Sequence, residues 1–266
     1  MSVPWHTGRV ASAGEDIYFE VIGTAGAPAV MLTHGAGGNH AVWWQQLPAL
    51  VDAGYRVVTW DARGFGNSSY NTGVHGAVAA VADMEAVLAE TDAGDVHLVG
   101  QSMGGWWVVA FTIAHPQRVR SLTLCNTVGG LWTDALTAHF RSPRATPESG
   151  IGTHPALGPK TDPARAFLYQ QLNTFHDPPM RDIGRALLGT HVAPEDLDAT
   201  GVPVLLVTGS DDALFPSELT RDSIGRLRNA EIVTIDGAGH SAYFEHPDEF
   251  NAALLSHFAS TRDSSR

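Results

Sequence analysis

Gly100-Gln101-Ser102-Met103-Gly104-Gly105 is the stretch of sequence that decides the fold. It follows an apolar run at 96–99 that is typical of a short buried strand, and it precedes a helical pattern at 106–114 that ends before Pro116. A serine at such a turn takes a strained backbone conformation, and glycines two residues before and after it let the strand and the helix approach closely. The stretch therefore predicts an exposed nucleophile at Ser102. The alternative is a tight turn whose serine only caps the helix.

Apolar runs elsewhere in the chain predict further strands, and they alternate with helical patterns. We expect strands at 17–21, 29–33, 55–60, 119–125, 203–208 and 231–235, and helices at 42–50, 76–90, 164–174, 181–188 and 250–258. Strands that alternate with helices in this way predict an α/β fold with a mostly parallel sheet covered on both faces. In such sheets ligands bind at the carboxyl ends of the strands, which is where the glycine-rich loops of this chain fall.

The alternation of strands and helices breaks between residues 127 and 200. The stretch 142–163 is crowded with proline and glycine, which marks an insertion. Long excursions of this kind are usually lids or disordered segments, and an apolar face favours a lid. That face is formed by Phe167, Leu168, Leu172 and Phe175. We therefore expect one core made of residues 1–126 and 201–266, with a cap inserted at 127–200.

Composition limits the classes of function. The 266 residues are 44% hydrophobic, enough for one large core, and 16 basic against 28 acidic residues give a net charge of −12. This acidic balance disfavours nucleic acid and anionic membranes as partners, and no apolar run approaches the ~18 residues of a membrane span. The single cysteine, Cys125, fits a reducing compartment. We expect a cytoplasmic protein with a small-molecule substrate; the sequence does not indicate an oligomeric state.

A glycine-rich loop, His34-Gly35-Ala36-Gly37-Gly38, follows the strand expected at 29–33. Such a loop can bring backbone N–H groups close to a bound atom. The spacing of a dinucleotide-binding loop is not met and no Gly-Lys-Ser/Thr follows, so nucleotide binding is disfavoured. The alternative is an oxyanion hole, in which the N–H groups of Ala36 and Met103 face the same developing negative charge.

A serine hydroxyl becomes nucleophilic at neutral pH when an imidazole takes its proton and a carboxylate holds that imidazole. Of the thirteen histidines, only His240 lies on a glycine-flanked loop directly after a late core strand. Asp212 lies in the loop after the preceding strand. The chain order is thus Ser102, Asp212, His240.

With these residues in place, the chain resembles the α/β-hydrolase superfamily over nearly its full length. The matching pieces are His34-Gly35, Asp61 to Ser68, Gly100 to Gly105, Gly209-Ser210-Asp211-Asp212 with Pro216, and Gly239-His240 followed by Glu245-His246-Pro247. The resemblance implies Ser102 as nucleophile, His240 as general base and then acid, Asp212 as the orienting acid, and Ala36 and Met103 as oxyanion donors.

Neighbouring polar residues have structural interpretations. The family's glycine three residues before the acid selects Asp212 over Asp211, and the site used by some members after the sixth strand, Asn126-Thr127 here, carries no carboxylate. His34 is expected to shape the glycine loop through hydrogen bonds. No histidine pair has the spacing of a metalloprotease, so we expect neither a metal site nor a cofactor.

Tryptophans fall within segments expected to border the active site. Trp106 and Trp132, together with Gly35 of the glycine loop, are the candidate substrate-binding residues, and Trp107 is a further ring that could reach the pocket. A cleft lined by aromatic rings would favour an apolar or aromatic substrate group. The alternative is that these tryptophans pack the core.

The sequence thus predicts a serine hydrolase that cleaves an ester or lactone of a small, apolar carboxylic acid through an acyl-enzyme. Carbon–carbon hydrolases of ring-cleavage products keep the serine, but many carry a tryptophan where this chain has Ser241. Perhydrolases and hydroxynitrile lyases share the catalytic residues and stay open. Dehalogenases and epoxide hydrolases are disfavoured because they use an aspartate at the position of Ser102. A different class of alternative is a ligand receptor on the hydrolase scaffold.

Overall fold

The computed structural model of the chain describes residues 3–142, 154–176 and 180–263. Its strands are β1 (Trp5–Ser12), β2 (Glu15–Ile22), β3 (Ala29–Thr33), β4 (Arg56–Trp60), β5 (Val96–Gln101), β6 (Val119–Cys125), β7 (Val204–Gly209) and β8 (Ala230–Ile235). Its helices are α1 (Gln46–Asp52), α2 (Ala77–Glu90), α3 (Met103–Ala114), α4 (Asp134–Arg141), α5 (Pro163–Leu172), α6 (Met180–Gly189), α7 (Pro194–Asp198), α8 (Ser217–Ile224), α9 (Ala242–Glu245) and α10 (Pro247–Asp263).

The strands form one sheet in the order β1-β2-β4-β3-β5-β6-β7-β8. Strands β1 and β2 pair antiparallel, as do β2 and β4, and the remaining neighbours pair parallel. At the centre, Thr33 pairs with Gly100, and Gln101 pairs with Cys125. The last residues of β3, β5 and β6 therefore lie side by side at one edge. The predicted α/β fold with a mostly parallel sheet is confirmed.

Helices cover both faces of this sheet, and alternate strand residues face each side. On one face Met31 and Leu98 pack with α2, α3 and α8; on the other Leu32 and Val99 pack with α1 and α10. Strands β3, β4, β5 and β7 are buried along their whole length. This two-sided burial explains why these strands are continuous apolar runs. None of the helices in the described ranges is both long and apolar enough to cross a membrane.

The structure differs from the predicted elements in several places. The helix expected at 42–50 is divided into a 3₁₀ turn, His40–Trp43, and the helix α1. Helix α3 begins at Met103, directly after the serine, and not at Trp106. The edge strand β1 was not predicted, because most of its residues are exposed and no apolar run marks it.

The chain between β6 and β7 carries helices α4 to α7. Part of the proline- and glycine-rich stretch, residues 143–153, lies outside the described residues. Residues 154–176 pack against the carboxyl edge of the sheet: the side chain of Asn39 donates to Leu172 O at 2.8 Å, and Gly66 N donates to Phe175 O at 2.8 Å. Their position is the one a cap would take, and the division into core and cap stays a prediction.

Candidate active site

Ser102 lies in the sharp turn between β5 and α3. Its φ of 47° and ψ of −117° place a non-glycine residue in a left-handed conformation, which is uncommon and strained. The turn is tight because each of the two flanking glycines, Gly100 and Gly104, lies close to backbone atoms of a neighbouring segment. A Cβ on Gly100 would lie 2.7 Å from Gly104 O, and one on Gly104 would lie 2.6 Å from Thr33 O. Only glycine fits at these two positions, so the strand and the helix close around the serine and present its hydroxyl at the edge of the sheet.

Three side chains from distant parts of the chain meet at this hydroxyl. His240 Nε2 lies 2.9 Å from Ser102 Oγ, and His240 Nδ1 lies 3.0 Å from Asp212 Oδ2. A carboxylate only accepts, so Nδ1 carries the proton and Nε2 is free to accept the proton of the serine hydroxyl. The side chains of His240 and Asp212 are 5% and 0% exposed. The arrangement can therefore move a proton away from Ser102 with little competition from water.

Asp212 is held by a set of hydrogen bonds that leaves neither oxygen free. Its Oδ1 accepts from the N–H groups of Leu214 and Phe215 at 2.9 and 2.8 Å. Its Oδ2 accepts from Asn126 Nδ2 at 2.9 Å as well as from His240. The neighbouring Asp211 is exposed. These bonds hold the carboxylate in one orientation against the imidazole.

Four residues around the imidazole had no role in the sequence prediction. Gln101 Nε2 donates to His240 O at 3.0 Å, and the Phe215 ring stacks on the imidazole with centroids 5.5 Å apart. Asn126 donates its second amide hydrogen to Gly239 O at 3.0 Å. Glu245 accepts from the N–H of Gly239 at 2.9 Å. In the sequence, Gln101 and Glu245 stand within pieces that match the family, whereas Asn126 and Phe215 are marked only by their proximity to predicted strand ends.

Two backbone N–H groups near the serine come from different elements. Ala36 lies in the loop after β3, and Met103 is the first residue of α3, where helix N–H groups have no partner within the helix. Across the part of the chain that the structure describes, neither N–H donates to a protein acceptor. Free N–H groups at a helix start favour negative charge. These are the two groups predicted as an oxyanion hole.

The polar residues near the glycine loop have structural roles. His34 Nε2 accepts from the N–H of Ala62 at 3.1 Å, so its Nδ1 donates to Gly35 O at 2.8 Å. Burial lowers the pKa of His34, which keeps the ring neutral. The prediction that His34 shapes this loop is confirmed. Arg63 forms a buried two-bond ion pair with Asp83, at 2.8 and 2.6 Å.

A cavity of about 320 Å³ opens beside Ser102. Its sheet-side wall is formed by Ala36, Gly37, Gln101, Ser102, Leu214 and His240, and the opposite wall by His154, Pro155, Ala156, Tyr169, Asn173 and His176. The second wall belongs entirely to the segment between β6 and β7. Several of its side chains are polar, which is not what an aromatic-lined cleft would present.

The predicted substrate-binding tryptophans do not line this cavity. Trp106 is 2% exposed and packs against Trp132 and Phe215, so it lies one layer behind the imidazole. Trp107 lines a separate small apolar cavity on the other side of Met103. Both rings of helix α3 belong to the buried apolar cluster on that face of the sheet. Gly35 does lie against the serine, since a Cβ there would be 3.0 Å from Ser102 Cβ.

Comparisons of this chain with known proteins agree on one family. The sequence matches the profile of the alpha/beta hydrolase family over residues 30–253. It is 30% identical over 254 residues to the putative non-heme bromoperoxidase BpoC of Mycobacterium tuberculosis, covering 89% of this chain and 95% of that protein. It is 28% identical over 262 residues to a 2-hydroxy-6-oxononadienedioate/2-hydroxy-6-oxononatrienedioate hydrolase of Cupriavidus pinatubonensis, covering 87% and 86%. The structure of a thermophilic esterase from Thermogutta terrifontis has the same fold, with a TM-score of 0.79 at 22% identity over 96% of this chain and 99% of that chain.

Proposed function

The chain is an enzyme of the alpha/beta hydrolase family, and from that premise we propose that it is a serine hydrolase cleaving an ester or lactone of a small carboxylic acid. The observation that carries the proposal is the continuous hydrogen-bonded path from Ser102 Oγ through His240 to Asp212, with distances of 2.9 and 3.0 Å. This path supplies what a serine hydroxyl lacks at neutral pH, namely a base within hydrogen-bond reach.

The reaction follows from these positions. Ser102 Oγ attacks the carbonyl carbon while His240 Nε2 takes its proton, and the resulting oxyanion is bound by the N–H groups of Ala36 and Met103. His240 then gives the proton to the leaving alcohol, and an acyl-enzyme forms. A water molecule activated by the same Nε2 attacks the acyl group, and the acid is released from Ser102. Every step uses groups of this chain, so the proposed mechanism requires no cofactor.

The buried carboxylate has an electrostatic task in this mechanism. When His240 takes the proton it becomes a cation with an almost fully buried side chain, and the charge of Asp212 stabilises that cation. The hydrogen bonds from Leu214, Phe215 and Asn126 keep the carboxylate from rotating. In enzymes with this constellation, replacing the acid by its amide lowers kcat by roughly 10⁴.

Covalent labelling tests the proposal. A fluorophosphonate probe should add one adduct to the wild-type protein and none to Ser102→Ala, as read by intact mass. Ser256→Ala, which removes an exposed hydroxyl on α10, is the matched control and should label like the wild type. Labelling of Ser102→Ala at the wild-type rate, or no labelling of folded wild-type protein, would contradict the proposal.

Perhydrolysis is a second candidate, favoured by the 30% identity to a protein described as a putative bromoperoxidase. On the same serine, hydrogen peroxide would replace water in the second step and release a peracid. Turnover of simple esters with and without peroxide separates the two reactions, because a perhydrolase makes peracid faster than it makes acid.

We place the enzyme in the cytoplasm, on the basis of its single buried cysteine, Cys125.

A further inference from the structure

The wall of the cavity that faces Ser102 carries two polar groups that no other part of the described chain uses. They belong to His154 and Asn173, which both line the cavity together with Ser102 and His240. A polar atom left without a protein partner in a binding site is satisfied by water or by substrate, and a substrate that lacks the matching group binds less well.

His154 presents a hydrogen-bond donor. Its Nδ1 accepts from the N–H of Ala156 at 3.1 Å, so the ring proton lies on Nε2. Burial, and then the nearby His240, lower the pKa of His154, which keeps the ring neutral. Among the described residues Nε2–H has no acceptor. The ring is held by Tyr169, whose ring centroid lies 4.9 Å away.

Asn173 presents an acceptor. Its Nδ2 donates to Tyr169 O at 2.7 Å, which orients the amide so that Oδ1 points toward the glycine loop. A Cβ on Gly37 would lie 3.6 Å from this Oδ1, so the oxygen is close to the wall that contains Ala36. No donor to Oδ1 is present within the described residues. The preceding residue is tied to the core, because Leu172 O accepts from the side chain of Asn39 at 2.8 Å.

The described lining of the cavity has no permanently charged cation to pair with an anionic substrate. None of its described lining residues is a lysine or an arginine. A carboxylate placed there would lose its hydration without gaining an ion pair, which is costly. The net charge of −12 also repels anions from the protein as a whole.

From this pairing of one donor and one acceptor in a cavity without lysine or arginine among its described lining residues, we propose that the substrate carries a neutral secondary amide next to the scissile ester or lactone. The amide C=O accepts from His154 Nε2, and the amide N–H donates to Asn173 Oδ1. The enzyme would then act on N-acylated amino esters or amino lactones, and not on the dicarboxylates or plain alkyl esters of similar size. This inference rests on the proposed function of Ser102.

Four methyl esters of nearly equal size test the substrate class. They are methyl N-acetylglycinate, methyl 4-oxopentanoate, methyl 4-methylpentanoate and monomethyl succinate, which present an amide, a ketone, an alkyl group and a carboxylate. Each kcat/KM is divided by the rate constant for alkaline hydrolysis, which corrects for intrinsic reactivity. A second series of acetates carries the same four groups on the alcohol side. We expect the amide to exceed the ketone, and the ketone the alkyl ester, each by about tenfold in at least one series, since one hydrogen bond contributes on the order of 1.4 kcal/mol.

Two variants assign each hydrogen bond. Asn173→Leu should remove the preference for amide over ketone, and His154→Phe should remove the preference for ketone over alkyl. Gln171→Leu, an exposed change at the end of α5 and two residues before Asn173, should leave both ratios as in the wild type. An alkyl or carboxylate ester that matches the amide in both series of wild-type measurements would overturn the proposal, as would unchanged ratios in Asn173→Leu. Failure of the proposed function looks different, because then no ester of either series is hydrolysed and Ser102 is not labelled.

Discussion

Asn126 Nδ2 donates to Asp212 Oδ2 at a distance of 2.9 Å, although the two residues are 86 positions apart. Asn126 directly follows β6 and has a φ of 51°. Its other amide hydrogen goes to Gly239 O, and its Oδ1 accepts from the N–H of Ala242 at 3.3 Å. One uncharged side chain thus joins the loop of the acid to the loop of the histidine, at the position where some hydrolases carry the acid itself.

The first prediction exploits this position. Asn126→Asp should lower kcat at neutral pH by at least tenfold, because it removes a donor and places a second carboxylate beside Asp212. Asp212→Asn alone should lower kcat by roughly 10³–10⁴. The double variant Asn126→Asp, Asp212→Asn should recover at least tenfold over Asp212→Asn, since a carboxylate is again next to His240. Asn229→Asp, which adds the same charge at an exposed site, serves as the control. A double variant no better than Asp212→Asn would contradict this role.

Glu245 is the subject of the second prediction. Its Oε1 accepts from the N–H of Gly239 at 2.9 Å, and its Oε2 accepts from the N–H of Gly158 at 2.6 Å and from the Thr161 hydroxyl at 2.7 Å. All of these partners are donors. Glu245→Gln would set an amide donor against at least one of them, and we expect a loss of about 2 kcal/mol in stability and about tenfold in kcat. Thermal unfolding and steady-state kinetics measure the two effects. Glu249→Gln, on the exposed side of α10, should change neither.

The third prediction concerns the glycine loop. A Cβ on Gly35 would lie 1.9 Å from Gln101 Oε1, so Gly35→Ala forces that side chain to move. Gln101 then loses its bond to His240 O, and the imidazole is no longer fixed against Ser102. We expect kcat to fall by about 10–100-fold with a smaller change in KM, because the change misplaces the base. Gly94→Ala, where the added Cβ meets nothing within 4 Å, is the control. Wild-type kcat in Gly35→Ala would rule out this account of the loop.

A fourth prediction addresses stability in acid. Burial opposes the charge of Glu15, but hydrogen bonds from Ser69, Asn71 and Thr72 outweigh it and lower the pKa of Glu15 from 4.5 to about 2. The folded state therefore binds this proton more weakly than the unfolded state does. The stability that Glu15 contributes is fully present above pH 4.5 and is lost as the pH falls toward 2.

Glu15→Gln should accordingly lower the free energy of unfolding at pH 7 by about 2 kcal/mol. The full pKa shift would correspond to more, but screening by nearby solvent weakens the interactions of the carboxylate. The difference between variant and wild type should shrink as the pH falls from 4.5 toward 2. Urea unfolding across this range, with the exposed Glu90→Gln as control, makes the comparison. A difference that stays constant with pH would show that the charge of Glu15 is not the cause.

The sequence predicted the strands of the core well because two-sided burial turns each of them into an apolar run. Strand β1 lies at the edge of the sheet with most side chains exposed, so it leaves no such pattern. Helices α8 and α9 have 8 and 4 residues, too few for a clear period. The sequence did not indicate that the helix expected at 42–50 is two pieces for the same reason. The 3₁₀ turn and α1 are each short, and they share one apolar face.

The candidate site was predictable where glycine and strand ends mark a residue. Ser102, Asp212 and His240 all follow core strands in loops that contain glycine, and parallel strands bring such loops together. Asn126 carries no charge, so its residue type does not indicate a role in the site. The orientation of Trp106 and the wall formed by 154–176 depend on tertiary packing, which residue type alone does not determine.

The two walls of the cavity come from different parts of the chain. All the groups that we propose to react belong to the carboxyl edge of the sheet, whereas His154 and Asn173 belong to the excursion after β6. Substitutions in the excursion can therefore change substrate selectivity during evolution. The residues at the carboxyl edge of the sheet that break the bond can stay unchanged. Grafting an excursion from a relative onto this sheet should transfer preference without transferring chemistry.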